Sequence, residues 1–204
     1  SYKAMEAVGL PILITRGKDS KVRAFLNVCA HRGAPLADKG CGKQSRFTCK
    51  YHGWTYTNTG ALMGVSEQKT FGEINKETRG LRELPCEEKA GLIFVILTPE
   101  QPMLLDDFMA GMLEDLENAN FKDWAYLGSR EIEGANWKIA FDGYLEGYHF
   151  SQLHPETIHP RTISNLTHYE AFGPHMRIGF AQTDIKEKLE KHPKESWGKM
   201  ENVG

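Results

Sequence analysis

The sequence has no apolar run long enough to cross a bilayer. Its longest, "GLIFVIL" from Gly91 to Leu97, falls far short of the roughly 20 residues required. No charged-then-apolar leader with a small-residue cleavage pattern precedes the first β-rich stretch, so a cytoplasmic protein with no membrane partner is expected. Charge of one sign is missing as well: 25 basic and 27 acidic residues are interspersed, the formal net charge is −2, and no basic block marks a nucleic-acid surface. Cysteine is scarce. Four in 204 residues cannot form a disulfide framework, so cysteines that cluster with histidine point to a metal or redox site. What is present is 40% apolar residues, enough for the core of one large domain or two small ones.

Residues 10 to 98 are short apolar segments rich in Val, Ile, Thr and aromatics, such as "LPILIT", "VRAFLNV", "WTYT" and "GLIFVIL", punctuated by turn signals. This predicts a small antiparallel sheet domain. Two prolines in "TPEQP", Thr98 to Pro102, end it. Leu104, Leu105, Phe108, Met109, Met112, Leu113 and Leu116 then recur at three- and four-residue spacing, the stripe of an amphipathic helix facing a core. A second helical stretch is expected over Asn136 to Phe150, with Asp142, Glu146 and His149 on one face. Its Gly143 and Gly147 weaken helix propensity, so that polar stripe serves something other than the helix. "DIKEKLEKHPKE", from Asp184 to Glu195, reads as a solvated helix face ended by Pro193. The fold class is α+β, with domains at 1–102 and 103–204.

The chemistry lies in an echo. "CAHRG", from Cys29 to Gly33, returns as "CKYHGW", from Cys49 to Trp54, with 17 residues between His31 and Cys49. Two thiolates and two imidazoles on tight loops can close a tetrahedral zinc site, or hold a [2Fe–2S] cluster in which two histidines replace two cysteines on one iron. Zinc sites most often place two or more residues between paired ligands. A one-residue gap followed by Cys-x-x-His suits two loops closing on a dinuclear cluster from opposite sides. Cys41 and Cys86 read as structural, since a buried free cysteine behaves as a small hydrophobe.

"NVCAHRGAPL" and "FTCKYHGWTYTNTGAL" resemble the two cluster loops of Rieske non-haem iron oxygenases. The resemblance implies that Cys29, His31, Cys49 and His52 bind a [2Fe–2S] cluster. Ala34 and Tyr51 stand where respiratory Rieske proteins carry a disulfide, which implies a low-potential centre, and Lys50 replaces the usual Pro. "NWKIAFDGYLEGYHFSQLH" resembles the iron-binding segment of the same family, with His149 and His154 as the ligands of a mononuclear Fe(II). Five residues apart, the two are about 140° out of phase on a helix, and Pro155 biases His154 away from helical geometry, so the helix must end between them. The third ligand of such a site is a carboxylate. By resemblance it falls beyond residue 204, Asp184 being a formal candidate only. Glu146 matches the carboxylate, more often Asp, that links an iron-ligand histidine to a Rieske histidine across a subunit boundary. Asp142 occupies a position that is often Asn in ring-dihydroxylating members.

The resemblance implies the N-terminal part of an oxygenase α subunit with a helix-grip-like catalytic domain. An opening Ser and the short tail after His154 agree with that expectation. Electrons from NAD(P)H would arrive through a reductase, with or without a ferredoxin. O2 would react with a small, aromatic or related substrate, with ring dihydroxylation as in aromatic hydrocarbon catabolism preferred over monooxygenation or demethylation. A homotrimer or α3β3 assembly is implied. A free-standing Rieske electron carrier and a zinc-stabilised interaction module are the competing readings.

Overall fold

The computed structural model describes residues 1–195; the expected second domain's residues 196–204 lie outside them. In chain order the strands are β1 (Tyr2–Ala7), β2 (Leu10–Arg16), β3 (Val22–Leu26), β4 (Gly40–Gly42), β5 (Arg46–Thr48), β6 (Thr55–Thr57), β7 (Leu62–Gly64), β8 (Glu83–Leu84), β9 (Cys86–Lys89), β10 (Leu92–Val95), β11 (Thr162–Phe172) and β12 (His175–Gln182). The helices are α1 (Gln68–Phe71), α2 (Leu105–Met109), α3 (Met112–Asn118), α4 (Trp137–Tyr144), α5 (Phe150–Leu153) and α6 (Ile185–Glu190). The fold is α+β, and every described strand pairing is antiparallel. The chain forms two compact units, 1–105 with 116–124, and 106–115 with 125–204. A simple cut after residue 102 therefore does not describe the packing, because 116–124 return to the first unit. Gly91 shows why: a Cβ there would lie 2.5 Å from the Lys122 backbone nitrogen.

The first unit contains a five-stranded sheet ordered β4-β1-β2-β3-β8, a three-stranded sheet β5-β6-β7 and the hairpin β9-β10. Strand alternation sends Ala4, Leu13 and Phe25 into one core and Ile12, Ala24 and Leu84 into another. Phe47, Tyr56 and Leu62 from the small sheet join the first of these, together with Cys29, Cys49 and Trp54. Cys86 packs on the second cluster and burial pushes its thiol up to about 11, as expected of a structural cysteine. Cys41 corrects that expectation: it is exposed, on the edge strand β4 opposite Lys3.

In the second unit, β11 and β12 form a long hairpin. The amphipathic stripe from Leu104 to Leu116 is two short helices rather than one, since Ala110 turns to a positive φ of 46° and Gly111 lies against the Phe172 ring. The Asn136–Phe150 stretch also divides. Asn136 caps α4 by accepting from the N–H groups of Lys138 and Ile139, and the helix stops at Tyr144. Asp142, Glu146 and His149 thus do not share a helical face; Gly143 lies within α4, and Gly147 falls in the break that follows it. Among the described residues, no helix is long and apolar enough to span a membrane.

Candidate metal and electron-relay sites

The echo in sequence is an echo in structure. In the first loop the Cys29 N–H donates to the Ala34 carbonyl (2.8 Å) and the Gly33 N–H to the Cys29 carbonyl (2.8 Å). In the second the Cys49 N–H donates to the Trp54 carbonyl (2.8 Å) and the Gly53 N–H to the Cys49 carbonyl (2.9 Å). Gly33 and Gly53, with φ of 72° and 68°, supply the left-handed residue each turn needs. Both cysteines are 3% exposed at the top of the core, while the histidines stand half-buried above them. The His31 and His52 rings are 4.7 Å apart.

Nδ1 of each ring is buried and has no hydrogen-bond partner. A buried polar atom left unsatisfied is costly unless something else occupies its lone pair. Two such nitrogens beside two buried thiols match in type and number the donors that a [2Fe–2S] centre with mixed ligation would require. Among the described residues no three His, Cys, Asp or Glu side chains converge as a group for one metal ion. Burial, then the neighbouring His52 and Arg32, lowers the His31 pKa.

Four residues that the motif reading missed shape this site. The Tyr56 hydroxyl, fully buried, accepts from the Ala30 N–H (3.0 Å), so its proton is free to point at Cys29 Sγ 3.3 Å away. Burial and that contact raise its pKa. Its signal was strand alternation, which turns Tyr56 inward between Thr55 and Thr57. Asn27 is buried and pins the end of the first loop, accepting from the Leu36 and Ala37 N–H groups (3.2 and 3.1 Å) and donating to the Ala37 carbonyl (2.7 Å). Trp54 stacks on His31, 5.0 Å between centroids and 7° from parallel, and Phe71 meets both rings edge-on.

In the second unit His149 and His154 flank α5, at its N- and C-terminal caps, with ring centroids 5.4 Å apart. The helix end expected between them is therefore a four-residue helix with a histidine at each end. Glu146 binds His149 Nδ1 and also accepts from the Tyr148 N–H. The first of these contacts is the main reason its carboxyl sits below the usual range. This fixes the ring and leaves Nε2 for a metal, the carboxylate–histidine–metal arrangement. The close approach of chain at Gly147, where a Cβ would be 2.6 Å from the Ser164 carbonyl, keeps the turn tight. A cleft of about 640 Å³ opens beside the two histidines, walled by Ile139, Tyr144, Phe150, Leu153, Ile158 and Phe180. Among the described residues, no Asp, Glu, Lys or Arg lines it. Asp142, on α4, is not among the lining residues, and Asp184 is the N-cap of α6, paired with Lys188 at 3.3 Å.

A thiolate–imidazole tip in one unit and a carboxylate-backed histidine pair in the other define a class of metalloprotein that couples an iron–sulfur relay to a second metal centre. The comparisons agree: residues 1–85 match the Rieske [2Fe-2S] domain, and residues 121–203 the catalytic domain of the ring-hydroxylating alpha subunit. The chain belongs to the Rieske oxygenase α-subunit family, whose cofactors are the Rieske cluster and a mononuclear iron. It is 33% identical over 189 residues to the carnitine monooxygenase oxygenase subunit of Acinetobacter baumannii, covering 91% of this chain and 50% of that protein. It is 34% identical over 161 residues to the anthranilate 1,2-dioxygenase large subunit of Burkholderia cepacia, covering 75% and 38%. A crystal structure of a quaternary ammonium Rieske monooxygenase with L-carnitine matches with a TM-score of 0.75 at 30% identity, covering 87% of this chain and 51% of that one. The chain spans about half the length of the carnitine monooxygenase subunit and of the matched crystal-structure chain, 50% and 51%, and 38% of the anthranilate dioxygenase subunit.

Proposed function

We propose that this chain is the cluster-bearing and iron-binding part of a terminal oxygenase that inserts oxygen from O2 into a small organic substrate. The observation that supports it most is the pair of orphaned, buried Nδ1 atoms above two buried cysteines. Cys29, Cys49, His31 and His52 hold the cluster, and His149 and His154 hold the iron. When bound, the two groups supply one-electron transfer and O2 activation. The protein's own part is positional. Tyr56 donates to a ligand sulfur, Trp54 fixes the His31 plane, and Glu146 holds His149 in one tautomer. Glu146 also reaches a cluster histidine of a neighbouring copy, in a trimeric assembly fed from NAD(P)H by a reductase, directly or through a ferredoxin.

The first reading is monooxygenation of a quaternary ammonium compound, which the cleft can accommodate. A trimethylammonium group has no N–H to satisfy, so aromatic walls such as Tyr144, Phe150 and Phe180 can hold it without a carboxylate. The likeness to carnitine monooxygenase supports this. Dihydroxylation of an aromatic ring is the second reading, supported by the same apolar lining and by the anthranilate relative. The test begins with low-temperature EPR before and after dithionite, and iron, zinc and sulfide per chain. A Rieske-type signal with more than two irons per chain is expected; a colourless zinc protein overturns the oxygenase reading. Choline against its uncharged isostere 3,3-dimethylbutanol then separates the substrates: preference for the cation supports the first reading, equal binding the second.

A further inference from the structure

Lys50 follows Cys49 directly, and its ammonium lies 2.7 Å from the Asp38 carboxylate. The two belong to different cluster loops. Asp38 comes immediately after Leu36 and Ala37, whose backbone is held by the buried Asn27 side chain, so its position is fixed from below. Lys50 lies inside the second loop's hydrogen-bonded turn, between Cys49 and Gly53. Both side chains are mostly exposed, and an exposed pair adds little stability. Its field at the cluster is another matter. Lys50 is the immediate neighbour of Cys49, so its ammonium lies on the order of 10 Å from the Cys49 sulfur.

We propose that Lys50 and Asp38 form a charge clasp across the two loops that neutralises the field of Lys50 at the cluster and so keeps Lys50 from raising its reduction potential. The inference rests on the cluster assignment above. Reduction adds one electron to the cluster and makes it more negative, so an unpaired cation favours the reduced form and an unpaired anion opposes it. A single charge at that distance in water changes the reduction equilibrium about twofold.

The test is a redox titration of the cluster-loaded chain with dithionite, followed by EPR, at about 10 mM salt, where screening is weak. Asp38→Asn is expected to raise the midpoint potential and Lys50→Gln to lower it, each by the equivalent of about twofold. The double variant returns close to the parent. At about 1 M salt all four converge. Shifts of the two single variants in the same direction, or no shift in either, overturn the proposal, the first outcome because loosening of the loops would then dominate. The reduced EPR signal reports the cluster in every variant. Its absence from the parent chain would defeat the cluster assignment, which separates that failure from failure of the clasp.

Discussion

The first unit holds its four candidate ligands on two loops with one shared hydrogen-bond frame, standing on a closed core. The second holds two histidines around a four-residue helix, and its neighbours Trp137, Tyr144, Tyr148 and Leu153 remain largely in water. Only Met109 and Phe150 of its described apolar side chains are fully buried. The difference is one of range. A Cys-x-His and a Cys-x-x-His turn 17 residues apart carry a whole donor set locally, and the sheet beneath supports both. A two-histidine, one-carboxylate site must recruit its third ligand from elsewhere. No described carboxylate completes such a group with His149 and His154.

The sharpest way to break the comparison is Cys49→Ser. It removes a thiolate from a set in which each ligand is required, so the cluster is expected to be lost altogether, with iron falling by two and acid-labile sulfide vanishing. Binding of one divalent metal at the histidine pair should persist. If that binding disappears too, the two sites are not independently held.

Packing gives the next largest contrast. Phe25 is 1% exposed beneath the loops, and Phe25→Ala should cost about 3–5 kcal/mol. Phe141, on α4 and 49% exposed, should cost under about 1 kcal/mol when cut to Ala. Denaturant midpoints check both. Similar losses would mean that α4 is covered in solution.

Glu146→Gln sharpens the second unit's side of the comparison. Losing the carboxylate behind His149 is expected to weaken cobalt or iron binding there by about 10–100-fold while the cluster content stays unchanged. Tyr56→Phe does the corresponding thing in the first unit. It removes a hydrogen bond to Cys29 Sγ, and should lower the midpoint potential by roughly 20–60 mV with the cluster retained. An unchanged potential would mean that the hydroxyl points elsewhere.

How much of this was legible in the sequence follows the same division. The two matching loops could be read because the candidate ligands and their turn glycines are neighbours in the chain. His149 and His154 could be read as a pair, and Pro155 correctly placed a helix end near them. The helical face joining Asp142, Glu146 and His149 could not, because periodicity extends a helix until something stops it, and here the chain turns after Tyr144. The same error merged α2 and α3, since a positive φ at Ala110 has no sequence signature. The Lys50–Asp38 pair was illegible for a different reason: its partners are 12 residues apart on loops whose approach only the fold decides.

The smallest expected effects come from surface ion pairs, and they test whether either unit depends on charge. Arg16 holds Glu88 on the first unit, and Arg177 holds Glu170 on the second, both with a guanidinium that lowers the carboxyl's pKa through a direct hydrogen bond. A carboxylate depressed in the folded state adds stability that is complete above its usual value of 4.5 and is lost as the pH falls through the folded value. Glu88→Gln and Glu170→Gln should therefore each lower stability slightly at pH 7, by a deficit that shrinks as the pH falls below 4.5. Solvent screening keeps the Glu88 effect under about 1 kcal/mol. Urea midpoints followed down the pH scale decide it. A deficit that does not shrink would trace to lost packing. Arg177 also binds Asp115 on α3 and lies over the Phe172 ring, so a surviving deficit is the more informative result in the second unit, where so few apolar contacts hold the hairpin to its helices.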